Sequence, residues 1–170
     1  MDIITPSCEI QRGDPTVSAL RISTLLVLKH FRGTTDNILG RREVFNECIT
    51  DAGRDYLIDA FTSTDYKPSL FNWHDFGCSS AAESTGDTTL ITPTSEARVL
   101  GTQSQPASNQ YRTVGLVTFT TNFNINEHGL FNQEAKPGGT LLDRTMFGTL
   151  TVVKGDSIQG TFTLTVNSGG

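Results

Sequence analysis

The hydrophobic positions of this chain recur mostly every second residue. From Ile158 to Val166 the alternation is clean. Ile158, Phe162, Leu164 and Val166 fall on one side, and Gln159, Thr161, Thr163 and Thr165 on the other. A period of two marks a half-buried strand. Ala19–Phe31 alternates in part, through Leu20, Ile22, Leu26, Leu28 and His30, and reads as a strand with a register irregularity around Thr24-Leu25. Residues 33–37 are a turn by composition, and Ile38–Ile49 can return as the antiparallel partner. Further strands are expected over Leu70–Gly77, Arg98–Leu100 and Tyr111–Phe123, and in the block from Thr113 to Val166. Residues 62–69, 78–90 and 101–109 are polar, rich in small residues, and read as loops.

Only Thr50–Phe61 breaks the pattern. Ile49, Ala52, Tyr56, Leu57, Ala60 and Phe61 follow helical spacing, Thr50 or Asp51 can cap the first turn, and Asp51 and Asp55 suit its dipole. Strands on both sides of one helix predict an all-β protein, an antiparallel β-sandwich or jelly-roll-like fold with one short helix near residues 51–61. Leu57, Phe61, Trp73, Phe119, Phe131, Phe147, Phe162 and Leu164 are the expected large core residues.

Residues 1–17 do not fit either period. Pro6, Gly13 and Asp14-Pro15 forbid a useful helix, so this segment is read as an extended N-terminal arm, with residues 18–170 as one domain. The arm carries apolar Ile3, Ile4 and Ile10, more than a solvated tail needs, and these are candidate partner-binding residues.

Composition narrows the function classes. A net charge of −5 over 170 residues argues against a surface that coats nucleic acid. The longest apolar run, Leu25–Leu28, is far shorter than the ~20 residues of a membrane-spanning helix, and Met1–Pro6 lacks the basic start of a secretory signal. Cys8, Cys48 and Cys78 are widely spaced and odd in number, which suits free thiols made in a reducing cytosol better than zinc or a disulfide framework. His30, His74 and His128 sit in no metal-ligand spacing, and no nucleophile elbow or phosphate-binding loop is present, so neither a catalytic residue nor a cofactor is assigned. Gly138-Gly139 and Lys154–Ser157 read as turns, and Asp143-Arg144 as a surface or interface ion pair. Trp73 leaves open a carbohydrate-binding module.

Several segments in order resemble one family. They are Asn46-Glu-Cys-Ile-Thr-Asp-Ala-Gly-Arg-Asp-Tyr-Leu57, Gly86-Asp-Thr-Thr-Leu90, Ile125-Asn-Glu-His-Gly-Leu-Phe-Asn132, Gly138-Gly-Thr-Leu-Leu-Asp-Arg-Thr-Met-Phe147 and Gly155-Asp-Ser-Ile158. Together they look like a tailed-bacteriophage virion structural protein, either a capsid decoration (cement) protein or a tail- or fibre-associated subunit. The stretch Phe76–Ser80 departs from that pattern. The resemblance implies a non-enzymatic homo-oligomer that is assembled in the host cytoplasm into the virion. Its implied partners are the major capsid protein or other virion subunits, with neither nucleic acid nor membrane as a partner. A tail, collar or fibre-attachment role is the alternative it leaves.

Overall fold

A computed structural model describes residues 20–33, 37–46 and 49–168. The arm, with Ile3, Ile4 and Ile10, lies outside the described residues, as do Cys8 and Cys48.

The described residues form two antiparallel sheets facing each other, with one α-helix. The strands are β1 (Arg21–Arg32), β2 (Ile38–Asn46), β3 (Trp73–Gly77), β4 (Val99–Leu100), β5 (Thr102–Ser104), β6 (Gln110–Thr118), β7 (Phe123–Phe131), β8 (Leu141–Val152) and β9 (Asp156–Asn167). The first sheet runs β2-β1-β9-β6-β5 and the second β4-β3-β7-β8. The expected β-sandwich with one helix is therefore what forms. Its core lies between the sheets. Leu26, Leu28, Val117, Ile158 and Phe162 of the first sheet meet Phe76, Ile125, Leu130, Phe147 and Val152 of the second. A smaller cluster of Leu90, Phe131 and Leu141, with half-buried Trp73 against it, sits on the far side of the second sheet.

Helix α1 (Asp51–Asp59) starts where the sequence indicates. The Thr50 hydroxyl accepts from Gly53 N–H at 3.0 Å, capping the first turn. Thr50 also ties the helix to β8: its N–H donates to Leu142 O at 2.9 Å and its hydroxyl to Leu141 O. A Cβ on Gly53 would stand 2.7 Å from Leu142 Cα, so only glycine allows this approach.

Four local expectations need correction. The helix ends at Asp59, and Phe61, beyond it, is 85% exposed and outside the core. The apolar stripe continues in the sequence past the point where Phe61 N–H and Thr62 N–H turn back onto Ile58 and Asp59. The strand expected from Leu70 begins only at Trp73, because Pro68–Leu70 is a 3₁₀ turn. The stretch 111–123 is not one strand. At Phe119 the chain crosses between sheets, and that residue exchanges hydrogen bonds with Gly155 and Asp156 in the β8–β9 arch. The irregularity in β1 lies at His30/Phe31 opposite Gly40/Ile38, not at Thr24-Leu25. Of the other expected core residues, Phe119, Phe131, Phe147 and Phe162 are buried, and Leu57, Trp73 and Leu164 half-buried.

Candidate functional site

The second sheet separates two chemically different regions, because successive residues of a strand face opposite sides. Trp73, Asp75 and Gly77 of β3 share the outer face with Phe131, Gly129 and Glu127 of β7 and with Arg144 and Met146 of β8. His74 and Phe76, with His128 and Leu130, Thr145 and Asp143, face the first sheet.

On the outer face, Arg144 is buried and donates from Nε to Glu127 Oε2 at 2.7 Å and from Nη1 to Asp87 Oδ2 at 2.9 Å. Its remaining donors reach the carbonyls of Ala81 and Ala82 at 2.9 and 3.1 Å. Glu127 accepts in addition the N–H groups of Ser79, Ile91 and Thr92. The loop from 78 to 98 is thus wound around one ion pair. Burial pulls the Arg144 guanidinium down, but its carboxylate partners outweigh that and raise it, so it stays charged. Burial itself, and the same Glu127 carboxylate, push the half-buried free Cys78 thiol up.

A second arginine holds the neighbouring loop. Arg98 donates to Asp75 Oδ2 at 3.2 Å and to the carbonyls of Gln133, Ala135 and Gly138 at 3.0, 2.9 and 2.8 Å. Its guanidinium carbon lies 3.4 Å from the centre of the Phe131 ring. Lys136 pairs with Asp75 and also donates to Thr94 O and Glu96 O. Gly138 and Gly139, at φ of 137° and 78°, make the turn that brings these carbonyls round. Each buried cation therefore meets a carboxylate and a set of backbone carbonyls, the condition under which such a charge is tolerated.

The inner face holds a different set. His74 Nδ1 is 3.0 Å from His128 Nε2, and His74 Nε2 is 3.2 Å from Thr113 Oγ1 on the opposite sheet. Burial lowers His74 to about 3 and His128 well below the ordinary range. Gly101, Gly115 and Gly160 leave room for the His74 ring. A Cβ on Gly115 would stand 2.6 Å from its Cδ2. Asp143 accepts from Thr24 Oγ1 at 3.0 Å and from Thr145 Oγ1 at 2.5 Å. Burial raises its carboxyl to about 7, despite those two hydroxyls and helped by the charge of Glu83.

Asp143 and Arg144 are therefore not a surface ion pair. Both are buried, they point to opposite faces of β8, and each has its own partners. Sequence reasoning missed the roles of Glu127, Asp87, Arg98, Asp75 and Lys136. For Arg144 a signal existed: Asp87, Glu127 and Arg144 each lie in a segment already singled out for its resemblance, and Leu90, Phe131 and Leu141 from those three segments form the cluster beside them. Among the described residues no group of three or more His, Cys, Asp or Glu is placed to hold a metal, and no helix is long and apolar enough to cross a membrane. No family model, curated protein or solved structure matches the chain.

Proposed function

We propose that this protein is a structural subunit of a tailed-bacteriophage virion, a capsid decoration protein that binds the major capsid lattice and stabilises the head. The observation that carries this reading is the convergence around Arg144. The segments Gly86–Leu90, Ile125–Asn132 and Gly138–Phe147, quoted for their resemblance to such proteins, supply Asp87, Glu127 and Arg144 to one buried network, and Leu90, Phe131 and Leu141 to one apolar cluster. The motif residues thus serve to fasten the loop from 78 to 98 to the second sheet. A sandwich whose second sheet carries a tightly fastened loop on its outer face suits a protein that sits on a lattice by surface contact.

Quantitative mass spectrometry of purified particles tests the reading. A capsid decoration protein is present in numbers comparable to the major capsid protein. A few copies per particle, recovered with isolated tails, replaces this reading with the tail, collar or fibre subunit. Absence from particles ends both.

A further inference from the structure

Among the described residues strand β2 ends its sheet, and its sequence, Ile-Leu-Gly-Arg-Arg-Glu-Val-Phe-Asn, is complementary to itself when reversed. A two-fold antiparallel pairing of identical strands needs its axis perpendicular to the sheet. Directly opposed residues share a face, so only registers centred on a residue are allowed. Centred on Arg42, Arg41 of each copy lies opposite Glu43 of the other, and Phe45 reaches the exposed apolar bulge at Leu39. Centring on Arg41 sets Leu39 against Glu43 and Arg41 against itself, and centring on Glu43 sets Glu43 against itself. Of these registers, only the one about Arg42 opposes unlike charges at both positions.

The side chains are placed for it. Arg41, Glu43 and Phe45 pair in register with Lys29, Val27 and Leu25 of β1, on the face away from the core. Phe45 is 70% exposed and Ile38 and Leu39 are also exposed, a rare allowance on an edge strand. Arg41 and Glu43 form an exposed ion pair with each other, which leaves both at the edge for a neighbour. Arg42, the residue on the axis, is drawn to its own β8, where it donates to Thr149 O at 3.0 Å, so the two copies of its charge are held apart.

We infer that two copies of this chain join β2 to β2 in antiparallel register about Arg42, fusing their five-stranded sheets into one. Opposed pairs of this kind stabilise a sheet, and the symmetry doubles every pair.

Charge reversal tests this on the purified full chain by sedimentation velocity across a concentration series. The wild type dimerises. Arg41→Glu and Glu43→Arg each place like charges opposite one another and weaken dimerisation tenfold or more. Mixing the two variants restores a dimer. Positions 41 and 43 are then both acidic in one chain and both basic in the other, so every opposed pair is complementary although the ion pair inside each chain stays broken. Circular dichroism and melting temperature of each variant report that the fold is intact. A wild type that stays monomeric at every concentration overturns the inference. So do single variants that dimerise like wild type, or a mixture that stays monomeric. The interface belongs to the purified chain. Its failure leaves the virion reading standing, and absence from particles leaves the interface standing.

Discussion

His74 and His128 share a hydrogen bond of 3.0 Å in the middle of the sandwich, the one from β3 and the other from β7. His128 Nδ1 is buried without a hydrogen-bond partner among the described residues. The arrangement that leaves a bare acceptor there, rather than an orphaned N–H, has His128 Nε2–H donating to His74 Nδ1 and His74 Nε2–H donating to Thr113. Both rings are then neutral. A further proton on His74 Nδ1 would break that chain, and one on His128 Nδ1 would leave a buried charged N–H with no acceptor among the described residues.

Acid should therefore loosen the fold. The folded-state pKa of each ring is depressed, to about 3 for His74 and well below the ordinary range for His128. The unfolded chain takes up those protons near pH ~6.5, so their contribution is present above that pH and is lost as pH falls toward ~3, at about 1.4 kcal/mol per pH unit and proton. Urea midpoints measured from pH 7 down to pH 4 should fall, and the fall should be shallower in His128→Gln.

Asp143 works in the opposite sense. Its folded pKa is raised from 3.8 to about 7, so its contribution is fully present below ~4 and is lost as pH rises to ~7. Asp143→Asn keeps a donor and an acceptor for Thr24 and Thr145 while carrying no charge. It should match the wild type near pH 4 and exceed it by a few kcal/mol at pH 8. Equal gains at both pH values would show that folding leaves the pKa of the carboxyl where it is in the unfolded chain.

Removing one partner of the outer-face pair should be severe. Glu127→Gln leaves the Arg144 charge with Asp87 and backbone carbonyls only, and such losses cost about 3–5 kcal/mol when the charge stays buried. Because Glu127 also holds Ser79, Ile91 and Thr92, proteolysis within 78–98 should speed up in this variant before the sandwich itself melts.

Two phenylalanines separate core from surface. Phe162→Ala, at a ring with no exposure, should cost about 3–5 kcal/mol. Phe61→Ala, at a ring 85% exposed, should stay within about 0.5 kcal/mol. Both are read from chemical denaturation at neutral pH.

The strands and the helix start were legible because alternation and capping are local properties. Thr50 caps α1, and β9 alternates along the stretch where its pattern is cleanest. The partners of charged residues were not legible. Arg144 is expected at the surface because burying a charge is unfavourable, and the segments that make its burial tolerable lie far from it in sequence. Likewise, alternation shows that His74 and Asp75 face opposite sides, but only the β3–β7 register brings His74 beside His128. Phe61 failed for a third reason: helical spacing continues on paper past the residue where the backbone leaves the helix.

The pairing of β1 with β9 sets Arg21 beside Asn167, so the first and last of the described strands are neighbours inside one sheet, with β6 on the other flank of β9. On a ribosome, the hairpin of β1 and β2 emerges long before the strand that must lie against it. Through most of synthesis β1 presents an open edge, and β6 waits on the other side of a gap that only the final strand fills. Closure of this sheet is thus a late, long-range event, of the sort that makes β topologies slow to fold. A chain stalled short of β9 would hold two unjoined halves whose exposed edges invite pairing with other nascent chains.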